Sequence, residues 1–470
     1  MEQKTDNTAE PAPGLPEEGE PGGKEPKSRK TLKRVIIIIS CLVIVAAVFC
    51  GGWFGGLYWG NAQFRSYKWA LNLIEQYYYG DYDTSVSENS AYALAAMLDD
   101  YSEYYSADEY SALLAENAGS KSGIGVTYQY VTDDAYGDTG CLIVSVVGNS
   151  PAYYAGIRAG VVICSGTAGG RTTEFTQATD FSSFISSQDT GAEFTLTSTD
   201  GTSFSVSREN YQASYTIMYT RDATYSFESG EKDGYLYLAE DTETGGMEDL
   251  PEGYAYIQLQ QFYGTADQEM DILIGEFTDL GCTSLILDLR SDGGGSVSTM
   301  EKIAGCFVPE TAGSLAMTAE YKDGSVRSYA IGRSNTYTLP EGTDIYILAN
   351  TGTASASEAL MGILLSYGLT DYSHIYLSDY GDNYLSFTGS TKNCRTYGKG
   401  IMQSTFVNSM TGEALKLTVA KIFWPDDNHT CIHDVGITAA DGCNTISTPW
   451  VATKGDMELR DAIQRISSAG

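Results

Sequence analysis

The chain has 470 residues, 42% of them apolar, and a formal net charge of −33. That length predicts two or three domains with room for a sizeable core. The charge excludes nucleic acid and an anionic membrane surface as partners, because phosphates and acidic headgroups repel it. The acidity is uneven: residues 1–34 carry seven acids and seven bases, and the other 54 acids and 21 bases make up the whole excess.

Residues 1–34 are rich in Pro, Gly, Glu and Lys, which predicts a disordered tail. Lys27, Arg29, Lys30, Lys33 and Arg34 then precede an uncharged run, Val35–Tyr58. The run is long enough to cross a bilayer, and its basic flank places the N-terminus in the cytoplasm. Trp53, Tyr58 and Trp59 suit the outer interface. A cleaved signal peptide is the competing reading. The run is long for one and lacks a small-x-small cleavage site, and Ala47–Cys50 matches a lipoprotein signal poorly. The expectation is an uncleaved transmembrane helix over 35–59, with the remainder outside.

Residues 62–119 read as a helical region, broken at Gly80 and Asp81. From 120 to 208 the pattern changes to short strands and turns, with a hairpin at Asp200-Gly201 and a short helix in SPAYYAGIRAG. This predicts one small β domain. Residues 209–250 are Tyr-, Asp- and Glu-rich and give no clear element. Regular α/β character begins with a strand at Tyr254–Phe262 and a helix at Ala266–Leu280. The strand SLILDLR, the loop Ser291–Gly295 and the helix VSTMEKIAGCF follow. Nine cysteines include Cys41 and Cys50 in the apolar run; the other seven contain no CxxC. Seven is odd, so at least one thiol stays unpaired or pairs between chains, while Cys431 and Cys443 are near enough in sequence to bridge.

The stretch Asp344–Gly368 repeats the strand–turn–helix form, with apolar Ile345–Ala349 followed by Ala359, Leu360, Ile363 and Leu364 on one helical face. Ser355 falls between strand end and helix start, where unpaired N–H groups point outward and favour negative charge. That is a good address for a nucleophile; the plain alternative is that Ser355 and Ser357 are helix caps. A histidine base is disfavoured, since His374, His429 and His433 all follow Ser355 and no GxSxG is present. Lysine remains. A neutral amine near pH 7 needs its pKa lowered by roughly three units, about 4 kcal/mol, by burial. Lys399 lies between Gly398 and Gly400 with Ile401 and Met402 next, and Gln403 is placed to orient the amine. An exposed turn lysine is the alternative. The oxyanion site has two candidates, the N–H of Ala356 and the glycine loop Ser291–Gly295, which otherwise reads as a flexible turn. His429, Cys431 and His433 lack the spacing of a metal site, and no metal is assigned.

Four segments taken in order resemble the carboxyl-terminal processing peptidases, or tail-specific proteases, over residues 65–445. They are MLDDYSEYYSADEY; SGIGVTYQY with VSVVGNSPAYYAGIRAGVVI; YIQLQQF with LILDLRSDGGGSV; and ANTGTASASEAL with YGKGIMQ, closed by IHDVGITAAD. The resemblance implies a multidomain α+β protein: a PDZ-like β domain at 120–208, ahead of an α/β crotonase-like serine protease core at 209–470. It implies Ser355 as nucleophile, Lys399 as general base and Gln403 as its positioning residue. Ala356 and Gly294 match the oxyanion positions, with Gly295 the neighbouring alternative. Gly123, Ile124, Gly125 and Val126 match the PDZ loop that would hold a peptide carboxylate; an ordinary glycine-rich strand entry is the alternative.

By the same resemblance the partners are proteins or peptides with accessible C-termini, and no cofactor is implied. A homo-oligomer is left open. The chain departs from the pattern at Gly293, where proline is usual, and at Val161, where an acid is common. Between Ser355 and Lys399 it carries a long Tyr- and Asp-rich stretch, SDYGDNYLSFTGSTKNC, expected as a surface insertion. The function implied is a membrane-anchored, extracytoplasmic serine endopeptidase. The rival from another class is a catalytically weak or inactive PDZ scaffold. A cell-wall hydrolase has no wall-binding repeat to support it.

Overall fold

A computed structural model describes residues 62–80, 91–132, 138–229, 236–242, 245–379, 393–448 and 456–469. The chain divides into two units, 1–66 and 67–470. Of the first, only residues 62–66 are described, and they open the helix Ala62–Tyr77. The apolar run Val35–Tyr58 lies outside the described residues, as does most of the stretch read as an insertion, 380–392. Among the described residues no helix is long and apolar enough to cross a membrane.

The core of the second unit is an eight-stranded sheet. Its order is Leu236–Asp241, Thr224–Ser229, Thr216–Tyr219, Tyr254–Leu259, Ser284–Asp288, Asp344–Ala349, Ile375–Ser378 and Asn444–Ile446. The first three pairings are antiparallel and the last four parallel. Ser284–Asp288 is buried along its whole length, as a strand covered on both faces must be. Alternate residues serve different layers. Leu285, Leu287, Ile345 and Ile347 pack with the helices Ala266–Asp279, Val297–Phe307 and Ala356–Ser366. Ile286, Tyr346, Leu348 and Tyr376 pack with Leu459, Ala462, Ile463 and Ile466 of the helix Met457–Ala469 on the opposite face.

The strands that sequence left unassigned within 209–250 extend this sheet on its antiparallel side. The neighbouring parallel strands Ser284–Asp288 and Asp344–Ala349 run in register, Ser284 beside Asp344 and Asp288 beside Leu348. Their outgoing loops, 289–296 and 350–355, therefore emerge side by side at the carboxyl ends, where open α/β sheets carry their sites.

A second sheet orders Glu103–Tyr105, Ala414–Phe423, Leu315–Tyr321 and Val326–Ala330, with Ile401–Val407 also paired to Ala414–Phe423. Glu103–Tyr105 corrects the sequence reading, which placed it in a helix. Its backbone pairs with Ala414–Lys416 and buries Tyr104 and Tyr105, so tertiary pairing overrides the local helical pattern.

Residues 126–207 form a six-stranded antiparallel sheet with helices Pro151–Tyr154 and Ala178–Ser186. It encloses its own core, including Ile143, Ile163, Phe181 and Leu196. The expected hairpin pairs Glu193–Ser198 with Ser203–Ser207 around Asp200-Gly201. The ends of the segment are tied by a two-stranded ladder, Ser120–Gly123 against Glu209–Gln212. Cys431, Cys443 and the five other described cysteines are free thiols, so the 431–443 bridge does not form.

Candidate active site

Ser355 stands at the N-terminus of the helix Ala356–Ser366, as the spacing predicted. Its backbone, φ 59° and ψ −113°, is neither helical nor the β conformation of an ordinary N-cap. A non-glycine residue held there costs of order 1–3 kcal/mol, and such strain clusters at working sites. The turn is pinned from several sides. Asn350 Oδ1 accepts the N–H groups of Gly352 and Ser291 at 2.9 and 2.8 Å. Thr353 donates its hydroxyl to Leu289 O at 2.6 Å, and Ser357 donates its own to Asp292 O at 2.9 Å. Ser357 is thus a staple between the helix and the glycine loop rather than a cap.

Gly294 presses against this turn. A Cβ there would lie 2.7 Å from Ala354 O and Ala356 N and 2.9 Å from Ser355 Cβ, and φ is +92°. From the other side Phe262 takes the loop as a bridge partner, donating its N–H to Gly294 O at 3.0 Å and accepting from Ser296 N–H at 2.9 Å. A Cβ on Gly295 would lie 2.6 Å from Phe262 O. The loop is therefore glycine because it is clamped between two backbones, not because it is loose. Ala356 is the first helical residue, and its N–H has no intrahelical acceptor. The Gly294 N–H is engaged, donating to Asp292 Oδ1 at 2.9 Å.

Lys399 enters from the second sheet's side. Backbone crowding explains its flanking glycines: a Cβ on Gly398 or Gly400 would meet Gly436 N at 2.9 Å or His433 N at 2.6 Å. The close approach is made by segment 432–436, which contains part of the HTCIH stretch; Cys431 Sγ donates to Gly400 O. Burial, then the charge of Lys416, pushes the Lys399 ammonium down to about 8, against the pull of Asp99 and Glu358. Its Nζ sits 4.5 Å from the centre of the Tyr101 ring. Gln403 follows a bulge between Met402 and Gln403, which re-aims its side chain. Its Nε2 donates to Thr418 Oγ1 at 3.1 Å.

Ser355, Ala356, Lys399, Gln403, Gly294 and Gly295 line one cavity of about 660 Å³. Gly123, Ile124, Gly125 and Val126 do not join it; they line a second cavity of about 670 Å³. Sequence reasoning missed two residues. Tyr101 lies in the quoted MLDDYSEYYSADEY stretch, but nothing there singles it out; its hydroxyl donates to Tyr397 Oη at 2.8 Å. Glu358, fully buried, accepts from Ser355 N–H at 3.1 Å, Lys399 N–H at 2.8 Å, Gly398 N–H at 2.7 Å and the Thr396 hydroxyl at 2.6 Å. The capping-box spacing Ser-x-x-Glu was the signal that could have found it.

The family model described as Peptidase family S41 matches residues 253–371, which contain the central parallel strands, the glycine loop and Ser355. That segment of the chain is similar to peptidase family S41. The chain is similar to the carboxyl-terminal-processing protease of Synechocystis sp., 31% identical over 39% of this chain and 36% of that one. It is 25% identical to the chloroplastic C-terminal processing peptidase of Tetradesmus obliquus over 71% of this chain. That match spans 63% of the Tetradesmus relative, so both alignments cover less than two thirds of the relatives' lengths. A solved Bacteroides fragilis structure assigned to the S41 proteases shares the fold, with a TM-score of 0.54 at 15% identity, over 86% of this chain and 97% of that one. The S41 fold thus extends beyond the segment that the family model matches.

Proposed function

We propose that the protein is a serine endopeptidase in which Ser355 attacks a peptide carbonyl and neutral Lys399 takes the proton from its hydroxyl. The observation that carries this reading is the shared cavity, whose lining holds both Ser355 and a lysine whose ammonium is pushed down to about 8. The N–H of Ala356, with Gly294 or Gly295, holds the oxyanion of the tetrahedral intermediate, and an acyl-enzyme forms and is hydrolysed. Gln403 orients the lysine. The 120–208 segment acts as a PDZ-like domain that takes the C-terminal region of a protein substrate at Gly123–Val126. The apolar run Val35–Tyr58, with its basic flank, anchors the protein in the cell membrane with the catalytic part outside.

The test is cleavage of an unfolded reporter protein by the full chain, beside Ser355→Ala and Lys399→Ala. Loss in both variants with unchanged circular dichroism supports the dyad; equal cleavage by all three overturns it. One observation favours a second reading, a non-catalytic scaffold that binds partner C-termini: the Gly294 N–H is already given to Asp292. Peptide binding without cleavage by any form would select the scaffold.

A further inference from the structure

The second cavity brings together two parts of the chain that are far apart in sequence. Gly123–Val126 line one side, and Arg290, Ser291 and Asp456 line another. Arg290 divides its guanidinium between two carboxylates. Nε reaches both oxygens of Asp288 at 3.0 Å, and Nη2 reaches Asp288 Oδ2 at 2.6 Å. Asp288 is completely buried and also accepts the Tyr256 hydroxyl at 2.6 Å, so this half of the fork is built into the sheet. The other half faces Asp456, Nη1 to Oδ1 at 3.2 Å and Nη2 to Oδ2 at 2.7 Å. That is the two-point geometry by which arginine holds any free carboxylate. The Asp456 side chain is 25% exposed, whereas that of Asp288 is 0% exposed.

Two carboxylates, Asp288 and Asp456, share one guanidinium, and the Glu458 carboxyl lies nearby, its Oε2 3.9 Å from Arg290 Nη1. Glu458 is 2% exposed, and its Oε1 has no hydrogen-bond partner among the described residues. Asp288 alone neutralises Arg290, so Asp456 can be exchanged for another carboxylate without a change in net charge. Asp456 is also cheap to release. Among the described residues its side chain's other hydrogen bond is to the Leu459 N–H at 2.9 Å, and the helix it precedes is held to the sheet by Leu459, Ala462, Ile463 and Ile466.

We infer that Arg290 is the anchoring point for the free C-terminal carboxylate of a bound peptide, and that Asp456 occupies it as an internal stand-in until the peptide displaces it. This rests on the reading above in taking a peptide as the ligand and Gly123–Val126 as the loop that binds it. The backbone of Gly123–Val126 supplies hydrogen bonds, and Arg290, two residues before Asp292 in the glycine loop, supplies the charge. The other cation at this cavity, Lys121, is spent on the exposed Glu116 at 2.5 Å.

The experiment uses the full chain carrying Ser355→Ala and a fluorescent decapeptide ending in an apolar residue, as the free acid and as the C-terminal amide. Asp456→Asn keeps an oxygen for the Leu459 N–H but removes the competing charge. The free acid is expected to bind at least about fivefold more tightly to this variant, with amide binding unchanged. Arg290→Gln is expected to abolish the preference for acid over amide, and Lys121→Gln to leave it intact. Equal affinities with and without Asp456→Asn, an equal shift for acid and amide, or loss of the preference in Lys121→Gln would each overturn the proposal. Should Arg290→Gln fail to fold, Asp456→Asn decides alone. Peptide integrity, followed by mass spectrometry in the wild-type and Ser355→Ala proteins, scores the nucleophile assignment separately from binding.

Discussion

Glu358 accepts the backbone N–H of Lys399 at 2.8 Å through the same carboxylate oxygen that accepts the N–H of Ser355 at 3.1 Å. Two segments that approach from different strands are thus fastened to one buried atom. Glu358→Ala would strip the acceptor from three N–H groups and the Thr396 hydroxyl, and the two most buried, Gly398 N–H and the Thr396 hydroxyl, would each be left unpaired at about 1–3 kcal/mol. The expected result is a large drop in Tm together with loss of cleavage. Glu358→Gln keeps one acceptor oxygen, so it should stay folded while kcat falls about tenfold or more through misplacement of the Ser355 and Lys399 backbones. Thermal melts and kcat on the same preparations check both; wild-type kcat in the Gln variant would remove Glu358 from the positioning role.

The fold around Ser355 was legible because its signals are local. Ile345–Ala349 and the Ala359, Leu360, Ile363 and Leu364 face carry their periods within single elements. The tie through Glu358 was not legible, since it joins residues 40 positions apart through hydrogen bonds to backbone, which leave no mark on composition. Glu103–Tyr105 was misread for a related reason: its partner strand is more than 300 residues away. Gly294 and Gly295 read as a loose turn because a sequence does not show that Phe262 and Ala354–Ala356 close in from both sides.

The glycine loop gives a contrast between neighbours. Gly294→Ala places a methyl 2.7 Å from Ala354 O at φ +92°, so the loop must move away from Ser355. A lost oxyanion donor costs about 10²–10³ in kcat, and that is the expected scale of the defect. Gly293 has open space around its Cβ position and no positive φ, so Gly293→Ala should leave kcat and Tm close to wild type. Parallel kinetics and melts test the pair, and equal effects of the two substitutions would count against the clamp.

With Lys399 as the proposed base, the pH dependence of cleavage is expected to follow its amine. With its pKa near 8, the neutral fraction falls tenfold for each unit below that value, so kcat/KM should rise with unit slope and level off above about pH 8. Lys416 contributes by like-charge repulsion, and Lys416→Met removes it. The Lys399 pKa then rises and the limb moves to higher pH. Stability has the matching sign. Between about 8 and 10.5 the unfolded chain binds the proton that the folded chain has lost, so Lys399 makes the protein more stable as pH rises through that window. A pH–rate profile of Lys416→Met that coincides with wild type would show that the field of Lys416 does not reach the amine.

Glu458 works in the opposite direction. Burial pushes its carboxyl up to about 8, and Asp456 and Asp379 add to this while Arg290 and the Ser378 hydroxyl oppose it. The folded protein therefore holds a proton that the unfolded chain releases near 4.5. Between those values the unfolded state binds fewer protons, so this group costs stability as pH rises, and the cost is complete above about 8. Glu458→Gln has the same shape and no proton to lose. Its urea midpoint relative to wild type should therefore climb from pH 5 to pH 8.5, where the variant becomes the more stable protein. Because only the difference between the two proteins is read, Asp292, Glu269 and the other buried carboxyls cancel. A difference that is the same at both pH values would mean that Glu458 titrates in the ordinary carboxylate range and that its pocket is open to water.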